Sequence, residues 1–410
     1  MEADVAVTDR TGLPSKIHRK GPQSSWRYSS RRQLGCATLL LLALAAGSAA
    51  AGVLPEDRAD ALYHSYDGGG VEITGPSILV RKGDNKRISG SVNYYVDSIS
   101  SASIDVVSQG SPYSEKRTQW TGSVDYLHAD TSMSASYTYS NESDYQADTY
   151  SLSISQSMFG DLTTVSIGYS RGYDDISSNV DPAVSETADH QNYHVSLSQV
   201  LTKKLLLSLN YDAVTDEGFL GNVYRHVYVL DDFNDPNSQA NFNTPERYPN
   251  TRTSNAVSAN FIYYLPYRAS LKLGYRYYAD DWDIAAHSAD IRYTHPLRDR
   301  WIFDIGFRYY TQSAADFYAD LFERPDQQNF MARDKELSKF QDYSAGIGVT
   351  YNLLDNPYGF IDKATLNVRY DRIWFKYDNF SDVSNGAVPP QAPLYEFEAD
   401  VIQLFGSIWY

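Results

Sequence analysis

Residues 343–353 read Tyr-Ser-Ala-Gly-Ile-Gly-Val-Thr-Tyr-Asn-Leu, and this stretch decides the fold class. Its apolar side chains occupy every second position, and serine, glycine, threonine and asparagine occupy the positions between them. A period of two is the geometry of a β-strand, because successive side chains point to opposite faces. The same alternation recurs in 164–170, 205–213 and 364–371. The sequence therefore predicts an all-β protein whose strands have one apolar and one polar face.

The composition narrows how such strands could be used. The chain has 410 residues with 35 tyrosines, 16 phenylalanines and 6 tryptophans, yet its mean hydropathy is −0.45. After residue 51 no stretch approaches the roughly 18 to 20 consecutive apolar residues that a membrane-spanning helix needs. A helical membrane bundle is therefore excluded, and a closed barrel is the remaining way to cross a bilayer. A soluble β-sandwich would show the same alternation, so periodicity alone does not choose between the two.

The N-terminal region has the pattern of an export signal. Arg31 and Arg32 precede a short apolar run at 39–46, and small residues follow at 47–52, which predicts a secretory signal peptide cleaved after residue 49, 50 or 51. The single cysteine, Cys36, lies inside this segment, so the mature chain needs no disulfide. Removal of residues 1–50 changes the formal net charge from −16 to −20, which argues against a nucleic-acid partner.

Connection lengths favour the barrel over the sandwich. We predict fourteen strands, near 87–97, 116–128, 132–141, 146–158, 162–173, 190–201, 204–215, 252–265, 267–279, 283–295, 300–312, 339–353, 363–377 and 395–410. Tight turns between them alternate with mostly longer connections, the longest at 216–251 and 313–338. Short periplasmic turns opposite longer external loops are typical of transmembrane up-and-down barrels of the outer membrane, and an even strand number returns both termini to the periplasm.

The N-terminal part of the mature chain leaves the strand number open. Adding 71–81 and 102–108 as strands would give sixteen, but Pro76 and the shortness of the second segment favour fourteen. The predicted regions are then 1–51 as N-terminal extension and cleaved signal peptide, 52–86 as a periplasmic extension or plug, and 87–410 as the barrel. Gly68 to Gly70 are interpreted as a flexible joint before the barrel.

The strand register sorts the charged residues into the barrel interior, or lumen. An Arg or Lys facing lipid at mid-bilayer would cost about 2 to 4 kcal/mol, so charges are expected on the inward face. The candidate lumen-lining residues are Asp125, Asp212, Lys272, Arg276, Asp290, Arg292, Asp304, Arg308, Arg369 and Asp371. One interpretation is an ion network that stiffens the wall, for instance Arg276 and Arg308 with Asp290 and Asp304. The other is a solute path constricted by loop 216–251, whose mouth is lined by Asp231, Asp232 and Asp235 and favours cations.

Aromatic residues near the strand ends are expected to form interfacial girdles. These are Tyr263, Tyr264, Tyr277, Tyr278, Trp301, Tyr309, Tyr310, Trp374, Phe375 and Trp409. The last strand ends on Ile408, Trp409 and Tyr410, and its terminal aromatic with alternating apolar residues resembles the signal read by the barrel-assembly machinery. Ile408 and Tyr410 are the predicted assembly signal. Outer-membrane lipid and this machinery are the predicted partners.

Several sequence blocks resemble an uncharacterised family of predicted outer-membrane barrels from Gram-negative bacteria, known only as a domain of unknown function. The blocks are 56–60, 63–70, 75–77, 93–97, 101–107, 293–296, 314–318 and 332–337. The resemblance implies a barrel in the outer membrane and supplies no catalytic residue. It also suggests a small periplasmic or lipoprotein partner.

The histidines give little sign of catalysis. His190 and His194 are four residues apart on a strand, roughly 13 Å, which is too far to chelate one metal. His226 in the long loop could join Asp231 or Asp232, but no nucleophile motif accompanies it. We therefore predict no enzyme, no metal and no cofactor. The leading hypothesis is a passive or gated channel for small solutes, followed by a binding or scaffold barrel with a plugged lumen and then by a hydrolase at the outer rim.

Overall fold

The computed structural model describes residues 53–84, 86–104, 108, 113–235, 238–354 and 357–410, so the predicted signal peptide lies outside the described residues. The elements within these described residues are eighteen strands and one short 3₁₀ helix, Lys335–Leu337. The strands are β1 Arg58–Gly68, β2 Val71–Gly83, β3 Ile88–Ser101, β4 Tyr113–His128, β5 Thr131–Asn141, β6 Tyr145–Met158, β7 Thr163–Ser177, β8 Ser185–Thr202, β9 Leu205–Gly218, β10 His226–Leu230, β11 Ala240–Pro245, β12 Thr251–Tyr264, β13 Ser270–Asp280, β14 Ala285–Leu297, β15 Trp301–Gln312, β16 Phe340–Leu354, β17 Lys363–Ser381 and β18 Leu394–Trp409.

Sixteen of these strands close into one antiparallel up-and-down barrel, in which β12 follows β9 and all other neighbours are consecutive. The barrel closes where β1 pairs with β18, beginning with Arg58 opposite Trp409. The all-β barrel is thus confirmed, with the alternative count of sixteen. In the parts of the chain that the structure describes, no helix is both long and apolar enough to span a bilayer.

The two additional wall strands correct the predicted domain boundary. Residues 58–83 form β1 and β2 and not a periplasmic extension or plug, and β3 ends at Ser101, before the segment 102–108 that was considered as a strand. Pro76 is tolerated because the hydrogen-bond ladder between β2 and β3 is interrupted at this point. A side chain at Gly75 would overlap the carbonyl oxygen of Val96, so the two backbones approach there as only glycine permits.

The connections differ between the two ends of the barrel. Both termini of the wall and most of the short turns, such as 129–130 and 203–204, lie at one end, here called the lower end, whereas the short turns 69–70, 142–144 and 281–284 lie at the upper end. Long connections, at 219–250, 313–339 and 382–393, lie at the upper end, as the sequence predicted. Gly69 and Gly70 have φ angles of 59° and 76° and form the two-residue turn between β1 and β2. They are therefore a hairpin turn and not a flexible joint.

The outward face carries the apolar side chains. Aliphatic residues near mid-height are highly exposed, for example Ile305 at 60% and Ile347 at 57%. Aromatic residues lie closer to the strand ends, including Tyr263 and Trp301 toward the lower end and Tyr309 above mid-height. Such a band between aromatic girdles is the surface that a bilayer covers. The girdle prediction is wrong for Tyr278, Tyr310 and Phe375, which lie on the inward face and pack in the protein core. The strand register also places Tyr264 and Trp409 on the inward face, at the lower end.

The long upper loops form a small core of their own, here called the cap, which comprises the described residues of 219–250, 313–339 and 382–393. The hairpin β10–β11 pairs with the loop after β15 through backbone hydrogen bonds between Leu230 and Phe322 and between Arg247 and Met331. Val227, Phe322 and Met331 are fully buried. The cap also packs against apolar inward side chains of the upper wall, which include Phe340, Ile373, Phe375, Ala399 and Val401. The upper lumen on the β16–β18 side is therefore covered by protein.

Candidate functional site in the barrel lumen

All ten charged residues selected from the sequence lie on the inward face. Each is flanked by outward side chains, as Asp304 is by Phe303 and Ile305, and inward positions are paired with inward positions across the strands. Nine of the ten lie on five strands: Asp212 on β9, Lys272 and Arg276 on β13, Asp290 and Arg292 on β14, Asp304 and Arg308 on β15, and Arg369 and Asp371 on β17. Asp125 lies apart from them on β4, where Ser134 donates to its carboxylate at 2.5 Å.

The ion pairs among these residues differ from the predicted network. Arg308 pairs with Asp342 at 2.9 Å, although Asp290 is its direct neighbour on the adjacent strand. Asp290 instead leans over Gly274 of β13, where a side chain at the glycine would overlap its carboxylate. Arg369 holds Asp371 through two hydrogen bonds of 2.6 Å. The strand parity could not predict these pairs, because each carboxylate has several inward neighbours and the folded side-chain conformations choose between them.

Three cations remain without a carboxylate. Within the described chain, no acidic side chain lies within the 4.0 Å of an ion pair from Lys272, Arg276 or Arg292. Lys272 and Arg292 are direct cross-strand neighbours, and Arg276 and Arg292 are exposed on the inward face. A charged side chain is stable in the middle of a membrane protein only if water or a partner solvates it. Exposure of these cations therefore indicates a hydrated lumen at mid-height.

Four inward glycines lie in the wall beside these cations. Gly274, Gly306, Gly346 and Gly348 are inward residues of β13, β15 and β16, and we call them the glycine cradle. A methyl group at Gly306 would lie 3.8 Å from Nε of Arg292 and 3.9 Å from Nη2 of Arg369. The two guanidinium groups thus lean over the same glycine and are at most about 8 Å apart, the sum of these distances.

The wall opposite these cations carries many small hydroxyl side chains. From β5 to β9 the inward positions include Ser132, Ser134, Ser136, Ser151, Ser153, Ser155, Ser166, Ser170, Ser196, Ser198 and Ser208. Several hydroxyls pair across strands, as Ser155 and Ser166 do at 2.7 Å. Short side chains leave space inside the barrel, and hydroxyls offer both donors and acceptors. The lumen is therefore asymmetric, with a charged wall on β13–β17 facing a hydroxyl wall on β5–β9.

The sequence analysis missed a buried cluster on β1, β3 and β4. Asp97, which has no exposed surface, accepts hydrogen bonds from His64 at 2.7 Å and from Arg117 at 2.5 Å. The ring of Tyr95 stacks on that of His64, with centroids 5.1 Å apart. His64 reaches Asp97 across Gly75 of the intervening strand, which has no side chain to separate them. The inward parity of Asp97 and Arg117 could have suggested this contact, had β1 and β2 been placed in the wall.

Two more histidines pair with carboxylates on the upper inward face. His190 lies between Asp216 at 2.7 Å and Asp174 at 3.0 Å, and His194 contacts Asp212 at 2.7 Å. Each histidine has its own acidic neighbour on an adjacent strand. His190 and His194 therefore have different partners, in agreement with their predicted separation.

A second set of charges lies buried in the cap. The guanidinium of Arg333 donates to Asp320 and to the carbonyl oxygen of Ser381, and it lies 4.4 Å from the ring of Phe380. Arg225 forms an ion pair with Asp334, and both are almost completely buried. Burial and the nearby charge of Asp334 outweigh Arg225 and raise the pKa of Glu246 to about 7. The run 332–337 reads in the sequence as a solvated stretch, so its burial carried no local signal.

The predicted loop mouth is an exposed turn. Asp231, Asp232 and Asp235 follow β10 at the tip of the hairpin, where all three are exposed. Asp231 accepts a hydrogen bond from Asn241, and Asp232 accepts one from the backbone of Asn234. His226 lies at the opposite end of β10, where burial lowers its pKa.

One carboxylate group at the upper rim has the spacing of metal ligands. Oxygens of Glu115, Glu142 and Asp144 lie within 4.8 Å of one another, and this is the one such group in the described part of the chain. Protein donors already engage two of these residues, since Ser143 donates to Glu115 and Tyr224 to Asp144. Burial and the hydrogen bond to Asp144 raise the pKa of Tyr224.

The predicted assembly signal, Ile408 and Tyr410, lies at the lower end. Ile408 lies opposite Ala59, and Tyr410 donates to the carbonyl oxygen of Arg81.

A closed barrel of antiparallel strands with an apolar outer band and a polar interior defines a transmembrane β-barrel protein. Residues 179–371 match the model of a family described as "Protein of unknown function (DUF3570)". This match confirms the resemblance to an uncharacterised family. It covers the blocks 293–296, 314–318 and 332–337, whereas the other five lie outside it. No curated protein sequence matches the chain.

Solved structures of several outer-membrane proteins are similar to this chain. One is described as a bacterial polysaccharide outer membrane secretin, with 8% identity, a TM-score of 0.48, and coverage of 87% of this chain and 100% of that one. A FadL homologue from Pseudomonas aeruginosa has 9% identity, a TM-score of 0.41, and coverage of 86% and 90%. The outer membrane protein opdK from Pseudomonas aeruginosa has 8% identity, a TM-score of 0.42, and coverage of 87% and 99%.

Proposed function

We propose that the protein is an outer-membrane conduit for small polar solutes. The observation that carries this proposal is the exposure of Arg276 and Arg292 on the inward face at mid-height, because it requires water inside the barrel. The serine wall opposite supports the same function, since short hydroxyl side chains leave room for solutes and can replace part of their hydration. In this orientation the lower end faces the periplasm and the cap faces outward.

The cap makes this conduit a gated one. Its buried core packs against the upper wall on the β16–β18 side, so movement of loop residues would change the width of the entrance. Gating by loops of low local stability is a common device, because loops open at a smaller free-energy cost than the wall.

Single-channel recording in planar bilayers tests the conduit. The protein is refolded in detergent, and folding is verified by its heat-dependent mobility on gels before reconstitution. We expect discrete conductance steps above background. Their absence in verified preparations would reject the conduit.

The alternative is a binding or scaffold barrel with a plugged lumen, and the buried cap is the observation that favours it. Cross-linking and pull-down from envelope extracts, with the intact chain and with residues 323–330 of the exposed cap tip deleted, would separate the two. A scaffold that binds its partner through the cap should lose that partner on this deletion without any change in conductance. We expect no enzymatic activity. A lipase or protease activity that His226→Ala abolishes would instead support a hydrolase at the rim.

A further inference from the structure

The inward charges at mid-height do not cancel. Around the glycine cradle the paired groups are Arg308 with Asp342 and Arg369 with Asp371. The remaining charges are the cations Lys272, Arg276 and Arg292 and the carboxylates Asp290 and Asp304. Thr294 donates to Asp304, and Asp290 leans over Gly274. One positive charge is therefore left over on this wall, in a chain whose formal net charge is −16.

Arg292, which has no carboxylate partner, and Arg369, which is paired with Asp371, converge on one point. The guanidinium groups of Arg292 and Arg369 lean over Gly306 from opposite sides, and their Nε and Nη2 atoms are at most about 8 Å apart. Two oxygens of one small anion could accept from both groups at about 2.8 Å each. Lys272 lies beside Arg292 on the adjacent strand. Arg276 lies one strand across and four residues above the level of Arg292, roughly 13 Å away along the strand direction.

The absence of a side chain at Gly306 is what makes room for an anion, since a Cβ there would occupy the space between the two guanidinium groups. The carboxylates of Asp290 and Asp371 occupy the space over Gly274 and Gly346, and Asp371 orients Arg369. On the lipid side of the same strand, Ile305 and Phe307 face outward. The site over Gly306 therefore lies within the membrane band, where a solute must pass.

We propose that Arg292 and Arg369, with Lys272 beside them, form a binding site for small oxyanions, carboxylate or phosphate, midway along the lumen. Arg276 extends the cationic strip above this site, so an anion can move between neighbouring positive charges. This proposal deepens the proposed function, since it names the class of solute. It also differs from the prediction from the sequence, in which the acidic loop mouth favours cations.

The first experiment measures ion selectivity. The reversal potential is recorded across a bilayer with a tenfold potassium chloride gradient for the wild-type protein and for Arg292→Gln. We expect chloride to be preferred over potassium in the wild type, and the preference to fall about two- to threefold in the variant, as for the loss of one unit charge at about 8 Å in water. Lys116→Gln, which removes an exposed charge from the outward face of β4, is the matched control and should leave selectivity unchanged.

A second variant keeps the test decisive if Arg292→Gln does not fold. Asp290→Asn removes a negative charge beside the site and should raise the preference for chloride by a similar factor. Opposite shifts in the two variants support the site. Cation preference in the wild type, or no shift in either folded variant, would overturn it while leaving the conduit intact.

The second experiment does not depend on conductance. Calorimetric titration of the detergent-folded protein with sodium acetate and, separately, with inorganic phosphate measures binding directly and distinguishes the two ligand sources. We expect at least one of them to bind and Arg292→Gln to weaken that binding about tenfold, the loss of a strong hydrogen-bonded contact. Binding without any channel steps would reject the conduit but keep the site, and failure of both anions to bind would reject the site alone.

Discussion

Arg333 is the side chain on which we expect closure of the cap to depend most. It is fully buried, it donates to Asp320 and to the carbonyl oxygen of Ser381, and it lies over the ring of Phe380. Methionine has a similar length and fills irregular space well, so Arg333→Met removes the charge and the donors with little loss of packing. The change leaves the carboxylate of Asp320 and the carbonyl of Ser381 without this partner.

The magnitude follows from these contacts. Removal of one partner from a buried ion pair costs about 3 to 5 kcal/mol, and we expect the lower limit here because Asp320 is 17% exposed and keeps the hydrogen bond from the backbone N–H of Ser381. The cation–π contact with Phe380 is part of this cost and not an addition to it. At 1.36 kcal/mol for each factor of ten, cap opening should become at least about a hundredfold more frequent. The contacts with Ser381 and Phe380 involve only the upper end of β17, so we expect thermal unfolding of the barrel wall to change little.

Trypsin cleavage measures the opening. Arg225 and Lys335 are buried in the closed cap, so cleavage after them requires it to open. When opening is faster than cutting, the cleavage rate follows the open population. Arg324→Met, which removes an exposed arginine from the same loop, is the control and should not accelerate cleavage at the two buried sites. If the cleavage rate at the two buried sites rose less than about tenfold in Arg333→Met, this would refute the conclusion that Arg333 holds the cap closed.

Three further predictions concern acidity, orientation and the wall. Burial raises the pKa of Glu246 to about 7, above its ordinary value of 4.5, so its contribution to cap stability is complete below about pH 4.5 and is lost as the pH rises to about 7. Cap cleavage, normalised to a peptide substrate, should speed up between about pH 5 and 7 and level off above pH 7, and Glu246→Gln should flatten this profile. Ile305→Arg places a charge against lipid and should lower the free energy of unfolding by about 2 to 4 kcal/mol. Ser153→Arg places the same charge on the inward face and should leave this free energy nearly unchanged. Equal effects of the two variants on refolding yield in urea would contradict the assigned faces. Asp97→Asn should lower the free energy of unfolding by about 3 kcal/mol, because Arg117 loses its counter-charge. If the temperature of the heat-induced gel shift did not change, the buried cluster around Asp97 would not stabilise the barrel.

The strands that the sequence predicted are those in which alternation is uninterrupted. From β3 onward each wall strand was located within a few residues, because apolar outward and polar inward side chains repeat over at least ten positions. The strands β1 and β2 escaped this pattern, since Gly75 and Pro76 interrupt it and Gly69 and Gly70 resemble a linker. The interruption has a structural cause in the gap of the hydrogen-bond ladder, which only the folded barrel reveals.

The sequence predicted which residues line the candidate site but not which of them contact one another. Parity alone placed Arg292 and Arg369 on the inward face. Their approach to each other over Gly306 depends on the stagger of β14, β15 and β17, which brings residues 77 positions apart to one level. The cap was not predictable for a related reason: Arg333 and Asp334 are stabilised by partners more than ten residues away, so their own neighbourhood in the chain resembles a solvated loop.

The cap and the site over Gly306 should act independently, and this separates admission from selection. Arg333 and Arg292 share no partner, and the effects of distant changes that share no partner usually add. Arg333→Met is therefore expected to increase the fraction of time that the conduit is open and to leave its ion preference unchanged, whereas Arg292→Gln should do the reverse. The double variant should show both effects at full size. A change of ion preference in Arg333→Met alone would mean that the cap also chooses the solute, and the acidic hairpin tip at Asp231, Asp232 and Asp235 would then be the first place to look for the cause.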